Sequence, residues 1–98
     1  MRFSVQAHPT PNPHSLKFAV VGARLIESGL AAYFSAAEAA GDPLGEALFR
    51  LEGVHSLMIV PEFATVTKHP AASWEPLARS VERVLETHLA GAVSGEAG

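Results

Sequence analysis

The 98-residue sequence contains no cysteine, which excludes disulfide bonds, thiolate metal ligation and a cysteine nucleophile together. It is also short of cations: seven Lys+Arg stand against ten Asp+Glu, giving a net charge of −3. The basic residues are scattered along the chain rather than clustered. A nucleic-acid binder needs grouped cations to displace phosphate counterions, and a surface anchor needs a polybasic run to hold anionic lipid. Neither nucleic acid nor membrane is therefore expected as a partner. No apolar run approaches the ~18 residues that a bilayer span requires, and Arg2 is not followed by the apolar stretch of a signal peptide. These absences lead us to expect a cytoplasmic, soluble chain. What is present suits one core: 48% of residues are hydrophobic and 17% charged, and a chain this long buries roughly 60–70% of its unfolded surface.

The hydrophobic periods predict the element order. Phe3 to Ala7 alternates with period two and reads as a half-buried strand. Prolines at 9, 11 and 13 then fix φ and bias their predecessors toward extended geometry, making a stiff, non-helical loop. Leu16, Phe18 and Val20 share one face of a second strand. Gly22 and Gly29 interrupt the pattern, after which a short strand is expected over 30–34 and a helical turn over 35–40. In that turn Ser35 and Glu38 have capping-box spacing.

Asp42-Pro43 is a helix start, with an N-cap carboxylate followed by proline at a position whose N–H is not needed. Leu44, Ala47, Leu48 and Leu51 continue that helix, and Gly53 is placed as its closing residue. Val54–Val60 and Phe63–Lys68 form a hairpin about Pro61-Glu62. From Ser73, the residues Trp74, Leu77, Ala78, Val81, Val84, Leu85, His88 and Leu89 make one helical stripe. Residues 1–90 are thus expected to form the domain and 91–98 a flexible tail. The fold class is α+β, a two-layer sandwich in which two helices cover one face of a mostly antiparallel sheet.

Catalytic motifs are missing: there is no G-x-S-x-G, H-E-x-x-H, P-loop or G-x-G-x-x-G. An enzyme is not expected. The histidines are the conspicuous polar candidates. His8 and His14 bracket the proline loop and, if brought together, would offer imidazoles to zinc or ferrous iron. No third ligand follows from the spacing, and two exposed loop histidines are the simpler reading. His55 and His69 flank the hairpin, and His88 is read as a residue near a helix C-terminus, where a cation complements the dipole.

The hairpin is more informative. A two-residue turn pairs Leu57 with Val66 and Ile59 with Ala64 on one face, which suits a position under the helices. The other face carries Met58, Val60 and Phe63. Two layers leave that face uncovered, and an exposed apolar patch marks a partner surface; the alternative is that residues 22–34 cover it. Because proline suits the primed two-residue turns poorly, a three-residue loop would invert this assignment.

Four segments occur in order: Thr10-Pro-Asn-Pro-His-Ser-Leu-Lys-Phe18, Pro43-Leu-Gly-Glu-Ala-Leu-Phe-Arg-Leu-Glu-Gly-Val54, Pro61-Glu-Phe-Ala-Thr-Val-Thr-Lys68 and Trp74-x-x-Leu77. Together they resemble the N-terminal domain of the Nfu/NifU-type iron–sulfur cluster scaffold proteins over residues 2 to 90. Val60 stands where that family often has glycine. The resemblance implies a small antiparallel sheet with two helices. It also implies that the cluster is held elsewhere, by a C-terminal domain whose C-x-x-C motif bridges two subunits. With no cysteine in this sequence, the resemblance leaves a stand-alone accessory module that engages a cysteine-bearing scaffold or apo-target proteins. Iron or a cluster would come only through the partner, with no cofactor of the chain's own. Asn12 and Lys17, with Met58, Val60 and Phe63, are the candidate contact residues. Asn12 also has the simpler role of ordering its turn. The alternative function is weak binding of ferrous iron or another metal by His8 and His14.

Overall fold

The alternation seen in the sequence becomes one sheet. In a computed structural model, described for the backbone over residues 3–97 and for side-chain surroundings over 3–91, the strands are β1 (Ser4–Pro9), β2 (Ser15–Val21), β3 (Ala31–Tyr33), β4 (Val54–Ile59) and β5 (Phe63–Lys68). The helices are α1 (Pro43–Phe49) and α2 (Trp74–Ala97). The sheet order is β1-β2-β5-β4-β3, and every neighbouring pair is antiparallel. This is the α+β, two-layer architecture expected, with both helices on one face.

The hairpin register is the one the sequence predicts: Leu57 faces Val66, Met58 faces Thr65 and Ile59 faces Ala64. The turn has two residues, since Val60 N–H donates to Phe63 C=O at 2.9 Å. No described non-glycine residue has positive φ, so this is not the primed turn that two-residue hairpins favour. Bracing from outside substitutes for that preference. Leu25 N–H donates to Pro61 C=O and Val20 N–H to Glu62 C=O, at 2.9 and 2.8 Å. The 22–29 segment, unreadable in sequence, therefore clamps the turn while sending Leu25 into the core. His88 secures it from α2, its Nε2 donating to Leu25 C=O at 3.1 Å.

Phe18, Val20, Leu57, Ile59, Ala64 and Val66 meet Leu44 and Leu48 of α1 and Leu77, Val81, Leu85 and Leu89 of α2 in a single buried cluster. Each large aliphatic or aromatic side chain so buried contributes about 1.5–3 kcal/mol.

Asp42 does two jobs at the start of α1. Its Oδ1 accepts from Leu44 N–H at 3.1 Å, and its Oδ2 accepts from the Tyr33 hydroxyl at 2.6 Å. That hydrogen bond, aided by partial burial and by the carboxylate's charge, raises the Tyr33 pKa above its ordinary value of 10.0. In the preceding turn Ser35 Oγ accepts from Glu38 N–H, while Glu38 Oε1 accepts from Phe34 N–H, one residue before the position a standard capping box uses.

Both helices differ from the sequence reading. Helix α1 ends at Phe49 with Arg50 as C-cap, so Gly53 does not close it. Gly53, at φ +103°, instead turns the chain into β4. His88 lies within α2 rather than near its end, and serves as a tether rather than a cap. Helix α2 continues past Ala90 to Ala97; the side chains of 92–98, on which most of the expected tail falls, lie outside the described residues.

Candidate functional site

Strand alternation sorts the proposed contact residues by face. Phe18, Val20, Ala64 and Val66 point toward the helices, so Lys17, Ala19, Phe63 and Thr65 point away. Met58 joins them opposite Thr65, and Ala32 lies opposite Met58. The structure therefore brings together Lys17, Met58, Val60 and Phe63 on the open face. The Lys17 ammonium lies 4.4 Å from the centroid of the Phe63 ring, a cation–π distance.

This face is apolar. Met58, Val60 and Phe63 are half-buried. The large hydrophobic residues most exposed among those described are Val21 at 59%, Leu30 at 60% and Phe34 at 71%. Val21 shares the parity of Lys17 and Ala19, and Leu30 and Phe34 flank β3 with the parity of Ala32. Within the 22–34 segment Ala23, Leu25, Ile26, Ala31 and Tyr33 pack with the core cluster, which contains none of Met58, Val60 and Phe63. Exposed apolar residues scattered singly carry no meaning, whereas a contiguous group does.

Asn12 is not part of this group. The β1–β2 loop lies beside Thr67 and Lys68, at the end of the sheet opposite the 61–62 turn. Asn12 Oδ1 accepts from His14 N–H at 2.9 Å, and its C=O accepts from Ser15 N–H and from the Thr10 hydroxyl, both at 2.9 Å. It holds its own turn.

The two loop histidines diverge. His8 stands on β1 opposite Lys17. His14 turns to the β5 side, where its Nδ1 lies 3.4 Å from Lys68 Nζ. Lys68 continues the inward parity of Ala64 and Val66 and is only 8% exposed. Its three N–H groups reach His14 Nδ1 and the carbonyls of His69 and Pro70 at 3.4, 3.4 and 3.5 Å. His14 Nδ1 therefore has the Lys68 ammonium as a neighbour. Among the described residues no three His, Asp or Glu side chains gather as a metal site. Sequence reasoning overlooked the burial of Lys68, although the period-two parity of β5 signals it. It also missed the edge-on pairing of His55 with His69 (centroids 4.8 Å apart), because a bulge in β4 between Val54 and Ser56 sets His55 out of register.

The molecule is thus a small α+β module whose helices cover one sheet face and leave an apolar one open. Residues 5–92 match the family model described as the N terminal of the scaffold protein Nfu/NifU, and the chain belongs to this family. It is 44% identical over 64 residues to the human NFU1 iron-sulfur cluster scaffold homolog, mitochondrial, covering 65% of this chain and 25% of that protein. With NifU-like protein 4, mitochondrial, of Arabidopsis thaliana it shares 36% identity over 73 residues, 74% of this chain and 25% of the relative. The chain therefore spans about a quarter of the length of these curated relatives. Among solved structures, a NifU-like protein from Saccharomyces cerevisiae superposes with a TM-score of 0.78 at 22% identity, over 90% of this chain and 79% of that one. Protein SAV1430 from Staphylococcus aureus gives 0.66 at 24% identity, over 83% and 96%. At these identities the two structures show the shared fold alone.

The curated relatives overturn one expectation. They are named as mitochondrial proteins in human, fly and Arabidopsis, so the cytoplasmic placement drawn from composition does not stand. Bulk charge and hydropathy report solubility and surface affinity, not address.

Proposed function

We propose that this chain is a non-catalytic accessory module in iron–sulfur cluster assembly or delivery, engaging a partner protein through its open sheet face. Family membership supplies the cluster context. The observation that carries the docking role is the convergence of Lys17, Met58, Val60 and Phe63 with the exposed Val21, Leu30 and Phe34 on one face. A cluster needs thiolates or a comparable ligand set. The lack of cysteine in this sequence supports the reading that a partner component holds it. Cysteine-bearing scaffolds and apo-targets are the partner classes this reading selects.

The test is anaerobic capture with the tagged chain, compared with a Met58→Asp/Phe63→Asp double variant of equal thermal stability. Enrichment of iron–sulfur proteins by the wild type and its loss in the variant support the reading. Equal enrichment by both, or none above a tag-only control, rejects it.

A further inference from the structure

The two edges of the sheet are built differently. Strand β3 ends one side with three residues, whereas β1 ends the other with six, in unbroken register with β2. Edge strands are ordinarily kept short, bulged or charged so that they do not recruit another strand. Ser4–Pro9 has no bulge, no lysine and no acid. Pro9 is its one blocking residue.

Backbone parity identifies the free groups. Val20 N–H points from β2 to Glu62 C=O, and Ser15 N–H points to Asn12 C=O in the β1–β2 loop. Even-numbered residues of β2 therefore bond toward β5 and odd-numbered ones toward β1. Lys17, Ala19 and Val21 face His8, Gln6 and Ser4, so these three β1 residues commit their N–H and C=O groups to β2. Val5 and Ala7 direct theirs outward, as does Phe3 by continuation. Pro9 has the same outward parity, and its missing N–H ends the free row.

The side chains on this row are complementary to one another. Val5 and Ala7 face Val20 and Phe18 on the helix side of the sheet, where Phe3 and Val5 pack against the core. Ala7 is nevertheless exposed, although α2 lies against β1. A half-buried aromatic at one end of the row and a small exposed residue at the other stand symmetrically about Val5.

We infer that β1 pairs with β1 of a second copy of this chain, antiparallel about a two-fold axis through Val5, so that two sheets join into one. Val5 meets Val5 of the copy and Phe3 meets Ala7 of the copy, each pair exchanging both N–H···O bonds. In that register each Phe3 covers the exposed Ala7 of the other chain, and Ser4 meets Gln6 on the opposite face. An axis through Gln6 or Ala7 would set Phe3 or Val5 against Pro9, which has no N–H to give. This self-complementarity selects a second copy over an unrelated strand. Each copy is net negative, at −3, but β1 itself carries no acid. Val84 and His88 of α2 line a groove against α1; the other flank of α2 holds Arg79 with Glu82 and Glu86, both signs rather than one. The inference goes beyond the docking role proposed above and does not depend on it. The axis stands normal to the sheet, so both open faces lie side by side and stay uncovered.

The experiment measures mass by sedimentation and amide exchange by NMR on the full chain over a concentration series. Two short strands make a small contact, and small interfaces associate weakly, so the pair is expected at about 1 mM chain and not at about 10 μM. At the higher concentration the N–H groups of Val5 and Ala7 should gain protection, while those of Gln6 and His8, already bonded to β2, should not change. An equal mixture of isotope-labelled and unlabelled chain should show the Phe3 ring of one copy against the Ala7 methyl of the other. Ala7→Pro removes an outward donor without touching a bond to β2 and should leave the chain monomeric. Ala7→Lys makes the same test should the proline variant fail to fold, because pairing would bury its ammonium under Phe3 of the copy. Constant mass over the series overturns the inference. So does pairing whose contacts fall on Met58 and Phe63 or on the helices, or pairing that persists in the folded Ala7 variants.

Discussion

The Lys17 ammonium rests 4.4 Å from the centre of the Phe63 ring, near the point where β2 and β5 pair Lys17 with Thr65 and Ala19 with Phe63. That contact joins the single cation of the open face to its central aromatic. It shields part of the Phe63 ring. Its exposed setting makes the contact worth about 0.5–1 kcal/mol, small enough to exchange for a partner.

The two faces of the sheet should respond differently to substitution. Ile59→Ala removes a fully buried side chain and is expected to cost about 2–5 kcal/mol. Met58→Ala, one residue away on the half-buried open face, should cost less than about 1.5 kcal/mol. Urea unfolding of both variants checks the assignment; equal losses would mean that a layer covers both faces.

His14 and His8 should separate in the same way. Removing the His14 ring leaves the nearly buried Lys68 ammonium short of one of its three acceptors, which costs about 1–3 kcal/mol. His8 is exposed on the edge strand, and His8→Ala should stay within about 0.5 kcal/mol. Comparable effects at the two positions would contradict the role given to His14.

Tyr33 gives the fold an alkaline limit. Its hydroxyl donates to Asp42, and ionising it would set a phenolate against that carboxylate, which is why its pKa is raised above 10.0. The folded state therefore holds this proton more tightly than the unfolded chain does. The stabilisation is complete below pH 10 and is lost as pH rises through the raised folded value. Tyr33→Phe should cost about 0.5–1.5 kcal/mol at neutral pH and abolish this part of the alkaline loss. A pH series of melting temperatures for both proteins reads it.

Gly53 and Gly41 allow strain and space to be told apart. Both have positive φ, +103° and +96°, so alanine is strained at either. A Cβ at Gly53 would also lie 2.9 Å from the Ala72 Cβ, whereas at Gly41 nothing lies within 4 Å. Gly53→Ala should be the more destabilising by about 1 kcal/mol or more, measured as the difference in unfolding free energy.

Where hydrophobic period and local chemistry agree, the structure was legible in the residues. The alternation of β4 and β5 set the hairpin register, Asp42-Pro43 marked the start of α1, and Leu77, Val81, Leu85 and Leu89 gave the buried stripe of α2. The same parity grouped Met58, Val60 and Phe63, whereas Lys17, named with the first loop, joins them only through the β2–β5 pairing. What escaped depends on long-range contacts that leave no periodic trace. Leu25 is buried because the 22–29 segment clamps the 61–62 turn, and His88 is a tether because Leu25 C=O lies in reach. Asn12 fell outside the site for a local reason, since its side chain is committed to its own loop.

The central claim is that the open sheet face is the docking surface, and the most direct measurement is a resonance-perturbation map of the labelled chain in complex with an iron–sulfur protein that it captures. The account predicts perturbations at Lys17, Ala19, Met58, Val60, Phe63 and Thr65, with α1 and α2 silent. Perturbations confined to the helices or to the 10–14 loop, with Lys17 and Phe63 unchanged, would contradict it.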